Sequence, residues 1–136
     1  MSLSSLSSWL SRLIIAAVAV LFVMIGLKFA LDPQRAAAGA GVAIAADVGA
    51  TNIRAGFGGF PLGVAAILVF CLFSSRRLLA ALGVIATLAA VILSVRLFGA
   101  VHDDTLAQSA RILIPETVIL TGSLLGILME RRRRAA

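Results

Sequence analysis

The stretch LLAALGVIATLAAVILSV, residues 78–95, contains no charged residue and lies between Arg77 and Arg96. As an α-helix it is about 27 Å long, at about 1.5 Å per residue, which is close to the ~30 Å thickness of the hydrocarbon core of a bilayer. An uncharged stretch of this length predicts a membrane-spanning helix.

The composition of the whole chain supports a membrane protein. Of the 136 residues, 61% are hydrophobic and 13% are charged, whereas soluble domains have about 45–50% apolar and about 25% charged residues. These values exclude a soluble globular domain, and they exclude a disordered chain because such chains are poor in hydrophobic residues. The length allows one domain, and the single cysteine excludes an internal disulfide and a multi-cysteine metal site.

Three further apolar segments bring the number of predicted spans to four, at about 13–31, 53–73, 78–97 and 108–129, within a single integral membrane domain of residues 1–136. The second is the least regular, because it contains Arg54 and a glycine cluster. Thr105 and Gln108 have the spacing of a capping box, which predicts that the fourth helix begins well before its apolar core. The predicted fold is an all-α, four-transmembrane-helix bundle.

The connection between helices 1 and 2 is rich in alanine and glycine (AAAGAGVAIAADVGA, residues 36–50) and has few large apolar residues. We interpret it as a short interfacial or reentrant segment, with a fifth span as the alternative. The small residues Ala36–Ala38 also resemble a signal-peptide cleavage site. Against cleavage, the first apolar run is longer than the 7–15 residues of a signal core.

The distribution of positive residues predicts the orientation. Four spans place both termini and the turn at 74–77 on one side, with seven arginines and one acid, Glu130; the arginines are Arg12, Arg76, Arg77 and Arg131–Arg134. By the positive-inside rule this side is cytoplasmic, and Trp9 fits an anchor at its interface. We interpret Arg131–Arg134 as a stop-transfer anchor that also suits anionic headgroups. Nucleic-acid binding is not expected, because the chain lacks a basic domain with readout elements.

Polar residues gather toward the predicted outer half of the membrane, where charges within spans normally face partners or a water-filled cavity. We predict a polar, outward-opening pocket there, and we predict that Arg54 and Glu116 form an interhelical pair or share a hydrogen-bond network. The pair either holds the helices together or takes part in ligand binding or proton handling. Pro115 cannot donate to the carbonyl of Arg111, so a bend is expected in helix 4. The candidate ligand-binding or structural cluster is Asp47, Asn52, Arg54, Arg96, Arg111 and Glu116.

A stripe of small residues is predicted to pack helices closely. Gly56, Gly59 and Gly63 recur at helical spacing in span 2, and Gly122 and Gly126 provide a similar surface in span 4. A ligand that approaches bare backbone is the alternative. Pro61 follows these glycines and predicts a kink.

The run Asn52-Ile53-Arg54-Ala55-Gly56-Phe57-Gly58-Gly59 resembles the signature of a bacterial membrane family, domain of unknown function 4345, which is similar to the DoxX-like group. The matching residues are Asn52, Arg54, Ala55, Phe57, Gly58 and Gly59, whereas Pro61 is atypical. The length, the four spans and a glutamate early in span 4 also agree. This resemblance implies a four-helix fold in the bacterial inner membrane and no established activity.

Three function hypotheses remain open from the sequence. The first is a non-enzymatic protein that binds a small lipophile or is an accessory subunit of a membrane complex, with homo-oligomers also possible. The second is a membrane enzyme with Glu116 or Asp47 as acid/base and Arg54 as anion stabiliser. The third is a small multidrug-type transporter. Such transporters have an essential glutamate in span 1, whereas the only charged residue in span 1 of this chain is Lys28. No signature for a nucleotide, haem, flavin or metal is present, so no cofactor is expected.

Overall fold

The computed structural model describes residues 3–135, with side chains from residue 7 onward, and the regular structure in this range is entirely helical. The elements are α1 (Leu3–Leu31), α2 (Pro33–Gly39), α3 (Asp47–Ile53), a π-helical segment (Arg54–Gly59), α4 (Phe60–Leu72), α5 (Leu78–His102) and α6 (Leu106–Ala135).

Four helices within the described residues are long and apolar enough to cross a membrane: Ser7–Leu31, Asp47–Leu72, Leu78–His102 and Leu106–Ala135. The second is continuous through α3, the π-helical segment and α4. The prediction of an all-helical chain with four membrane-length helices is therefore confirmed. The start of α6 at Leu106 also confirms the early start that Thr105 and Gln108 indicate.

The helices extend beyond the predicted spans. The second begins at Asp47 rather than near residue 53, and α6 continues to Ala135 rather than ending near residue 129. The reason is that hydropathy marks the part of a helix that fits hydrocarbon, whereas a helix ends where its backbone groups find other partners. As a result Arg131–Arg134 are helical residues of α6 and not a tail beyond it.

The connection after α1 contains one short helix, α2. The side chain of Asp32 caps it by accepting a hydrogen bond from the backbone N–H of Arg35 at 3.1 Å, and Pro33 occupies its first turn. The seven residues of α2 make a helix of about 10 Å, too short to cross a bilayer. The alternative of a fifth span is therefore wrong.

The chain folds as two compact units: residues up to Ile15 together with those from Cys71 onward, and residues Ala16–Phe70. In the first unit, α5 packs along α6, which the three-residue connection between them favours. The buried residues of α5 recur at helical spacing along one face; they are Leu78, Ala81, Leu82, Ile85, Ala86 and Ala89. Gly126 of α6 approaches Leu82, since a Cβ at Gly126 would lie 3.0 Å from a methyl carbon of that leucine.

In the second unit, α1 approaches the π-helical segment closely at two glycines. A Cβ built on Gly58 would lie 2.9 Å from the backbone nitrogen of Ala30, and one built on Gly26 would lie 2.9 Å from the carbonyl oxygen of Gly58. The tight contact is thus made at Gly58, one residue before the predicted Gly59. A Cβ at Gly56, Gly63 or Gly122 meets nothing within 4 Å among the described residues, so close packing at these three positions stays a prediction.

The π-helical segment ends at Gly59, two residues before Pro61, where the sequence predicts a kink. The N–H of Phe60 donates to the carbonyl of Ala55, five residues earlier, which is the hydrogen bond that defines a π-helix. Because Pro61 has no N–H, the wider turn lies next to a position where the α-helical pattern is already interrupted. By contrast, α6 continues as an α-helix through Pro115.

We expect Gly58→Ala to lower the free energy of unfolding in detergent by about 1–3 kcal/mol, because the added methyl group meets rigid backbone of α1. Gly63→Ala is the matched control in the same continuous helix. Its Cβ enters open space, and alanine is favoured over glycine in a helix by about 1 kcal/mol. Thermal unfolding followed by circular dichroism measures both variants, and equal behaviour would contradict the close approach at Gly58.

Candidate functional site

An ion pair joins α5 to α6. The Nε of Arg96 donates to both carboxylate oxygens of Glu116, at 2.8 and 3.0 Å. The side chain of Glu116 is 16% exposed and that of Arg96 is 36% exposed. The sequence prediction named Arg54 as the partner of Glu116, and in the structure the carboxylate is bound by Arg96. The short connection between α5 and α6 makes these helices neighbours, and this brings Arg96 to the carboxylate.

Both members of this pair lie inside helices of membrane length. Arg96 is six residues before the end of α5 at His102, which corresponds to about 9 Å along the axis. Glu116 lies about 15 Å from the start of α6, with the apolar segment up to Met129 following it. An unpaired charge at the centre of a membrane helix costs about 2.5–3.5 kcal/mol, and long side chains near a helix end lower this cost by reaching toward the interface. The pairing of two opposite charges offsets part of that cost.

Arg54 has a different role, at the end of α1. Its Nε donates to the carbonyl oxygen of Ala30 at 3.3 Å, one of the last carbonyls of α1, which have no partner within the helix. The same two elements are also joined by an aromatic contact: the ring centroids of Phe29, in α1, and Phe57, in the π-helical segment, are 5.5 Å apart. Arg54 therefore stabilises the contact between α1 and the π-helical segment.

The remaining residues of the predicted cluster are exposed. Asp47 lies in the first turn of α3, where a negative charge stabilises the helix by its favourable interaction with the helix dipole. Asn52 and Arg111 are also exposed, and the side chains of these three residues make no hydrogen bond to the described part of the chain. Of the six predicted residues, the structure brings together Arg96 and Glu116.

A second polar site lies at the C-terminal end of α6, around the fully buried side chain of Glu130. Arg133, which is one turn later, donates to its carboxylate through Nε at 3.0 Å and also through Nη2. The Nε of Arg134 donates to the same carboxylate at 3.2 Å. The spacings of three and four residues place these side chains on one face of the helix.

Arginines near both ends of the chain bind the turn between α4 and α5. Nη2 of Arg134 donates to the carbonyl of Arg76 at 2.8 Å and to that of Ser75 at 3.4 Å. Arg12 of α1 donates to the carbonyl of Leu72 and to the hydroxyl of Ser75, the latter at 3.0 Å. The early part of α1, this turn and the end of α6 therefore lie together, as a four-span arrangement with both termini on one side requires.

This region contains a cleft of about 250 Å³ lined by Ser75, Arg76, Arg133 and Arg134, which we call the arginine cleft. The sequence does not predict this cleft, because Arg131–Arg134 form one run of positive charge. The spacing of Glu130 to Arg133 and Arg134 is a signal in the sequence that predicts local pairing. It does not predict that the arginines also bind the turn at 75–76, which is distant in sequence.

The described residues contain no group of three or more His, Cys, Asp or Glu side chains placed to hold a metal ion. Comparison of the chain with protein-family models, with curated proteins and with solved structures finds no match.

We expect Glu130→Gln to lower the free energy of unfolding by about 2 kcal/mol, because it leaves two arginines without their carboxylate. Removing one partner of a buried pair costs about 3–5 kcal/mol, and the partial exposure of Arg133 and Arg134 reduces this cost. Asp47→Asn is the matched control, with an expected loss of less than about 1 kcal/mol because Asp47 is exposed and its side chain makes no hydrogen bond to the described residues. Chemical unfolding in detergent measures both, and an equal loss for the two variants would contradict the assignment of Glu130 as a buried carboxylate that holds two arginines.

Proposed function

We propose that this protein is a multi-pass membrane protein that binds a small lipophilic molecule beside the Arg96–Glu116 pair. The observation that carries the proposal is the pair itself, a partly exposed guanidinium and carboxylate inside two apolar helices. Polar groups that remain accessible at such depth normally face a ligand, a partner or a water-filled cavity.

The hydrogen bonds of the pair indicate the chemistry of the ligand. Arg96 reaches Glu116 through Nε alone. Its two terminal nitrogens make no further hydrogen bond to the described residues, and a guanidinium carries five N–H donors. A lipophile with an oxygen acceptor, such as a carbonyl or carboxyl group, matches these donors.

The helix surfaces on either side of the pair are aliphatic and suit the hydrocarbon part of a lipophilic ligand. On α5, Ile92 and Val95 are 40% and 65% exposed, and on α6 Ile112 is 48% exposed. A ligand that places its acceptor on Arg96 therefore lies among aliphatic side chains.

We place the protein in the bacterial inner membrane with both termini in the cytoplasm. The support is the excess of arginines near the termini and the 74–77 turn, which the positive-inside rule assigns to the cytoplasm. The resemblance of residues 52–59 to domain of unknown function 4345 and the DoxX-like group supports the same location. The polar, outward-opening pocket and an interfacial position for α2 belong to this proposal.

A role as an accessory subunit, or as one copy in a homo-oligomer, is the second candidate. The observation that favours it is the exposure of α6: only 11% of its most apolar 18-residue stretch is buried against the rest of the chain. Another membrane protein or lipid would cover this surface. The engagement of Glu116 in a two-oxygen ion pair favours neither an acid/base enzyme nor a multidrug-type transporter.

We expect purified wild-type protein to retain a small lipophile that native and lipid mass spectrometry detect. Arg96→Gln should reduce this retention by about tenfold, since charge-assisted hydrogen bonds are the strong ones. Arg35→Gln is the matched control, because this exposed arginine lies on α2 and is not a member of the candidate ligand-binding cluster. Equal retention by both variants, or a wild-type protein that is free of ligand, would contradict the proposal.

A further inference from the structure

The Arg96–Glu116 pair is isolated from other charges along both of its helices. Residues 92–100 of α5 and 112–120 of α6 contain no other charged residue. Arg111, five residues before Glu116, lies about 140° around α6 from it, because each residue turns an α-helix by about 100°. The net charge of this part of the two helices is therefore zero.

An open space adjoins Arg96 on the side of α5 that leads to its connection with α6. Gly99 lies three residues after Arg96, so the two residues share one face of the helix. A Cβ built on Gly99 would meet nothing within 4 Å among the described residues. On the other side of Arg96, within about one turn, lie the exposed aliphatic side chains of Ile92 and Val95. The surface therefore has room for a head group beside Gly99 and for an apolar chain beyond Arg96.

We propose that this site selects an uncharged lipophile that carries a carbonyl oxygen, such as an ester or a ketone, and places that carbonyl beside Gly99. The inference rests on the proposed function, in which the terminal nitrogens of Arg96 bind an oxygen acceptor. A carbonyl oxygen accepts from these nitrogens and leaves the site neutral. An ionised carboxylate would add a second negative charge beside Glu116, and an uncompensated charge in apolar surroundings is costly.

The geometry of the pair also favours a carbonyl over a carboxylate. Both carboxylate oxygens of Glu116 accept from the Nε of Arg96, at 2.8 and 3.0 Å. A carboxylate ligand that displaced Glu116 from Arg96 would leave a largely buried side chain charged and without its partner. A carbonyl needs no such exchange, because the terminal nitrogens of Arg96 make no hydrogen bond to the described residues.

The test compares palmitic acid, methyl palmitate and hexadecane, which have similar hydrocarbon chains and differ in the head group. Each is added separately to the full chain in a nonionic detergent at alkaline pH, where the carboxyl group of palmitic acid is ionised. Lipid mass spectrometry after detergent exchange measures the retained probe. We expect methyl palmitate to be retained about tenfold more than palmitate, because like charges placed side by side weaken binding, and more than hexadecane.

The outcomes separate this inference from the proposed function. Retention of palmitate equal to or above that of methyl palmitate would overturn the selectivity and leave the proposed function in place. Equal retention of hexadecane and methyl palmitate, or retention of none of the three probes, would contradict both.

Glu116→Gln tests the charge argument within one variant. It gives the pair a net charge of plus one, so the ratio of palmitate to methyl palmitate retained should rise by about tenfold. A purely structural role of Glu116 would lower the retention of both probes equally. An unchanged ratio would therefore overturn the proposal.

Gly99→Leu tests the position of the head group. The larger side chain fills the open space beside Arg96 and should lower the retention of methyl palmitate by about tenfold. Gly83→Leu is the matched control, because a Cβ built on Gly83 also meets nothing within 4 Å and the residue lies about 20 Å from Arg96 along α5. Circular dichroism checks that each variant keeps its helix content, and equal retention by the two variants would overturn the proposal.

Discussion

The constraint on which this structure depends is that a charge inside an apolar helix needs a partner. The chain meets it between α5 and α6, where Arg96 and Glu116 pair within helices of membrane length. The desolvation of two charges is unfavourable, and the pair compensates for it only when geometry and hydrogen bonding are good. Here one nitrogen reaches both carboxylate oxygens. The remaining donors of the guanidinium are the basis of the proposed ligand site.

Arginines also satisfy backbone carbonyls where helices end. The last carbonyls of a helix have no partner within the helix. Arg12 binds the carbonyl of Leu72 at the end of α4, and Arg54 binds that of Ala30 near the end of α1. Each of these bonds joins one helix to another segment of the same compact unit. The arginines of the chain therefore connect helices, in addition to supporting the proposed orientation in the membrane.

The fold could be predicted from the sequence because it depends on long apolar segments. Residues 78–95 lack any charge, so a membrane helix is the structure that their length and composition favour. Thr105 and Gln108 also predicted the start of α6. Such signals are local in sequence, and they do not depend on which other segments the helix contacts.

Partner choice could not be predicted, because it depends on which helix faces reach each other. Glu116 pairs with Arg96 rather than with Arg54, and nothing in the spacing of single residues distinguishes the two arginines. The π-helical segment shifts the angular position of the residues around it, and the tight glycine contact occurs at Gly58. Glu130 lies in a basic run whose burial depends on the turn between α4 and α5, which is distant in sequence.

The most direct test of the Arg96–Glu116 pairing is a double-mutant cycle with exchanged charges. Arg96→Glu and Glu116→Arg each place two like charges together inside the helices, and each should lower the unfolding temperature of the purified protein. The double variant restores opposite charges, so the account predicts recovery of most of the lost stability, with a coupling energy of about 1–3 kcal/mol. A double variant as unstable as the sum of the two single changes would contradict the pairing.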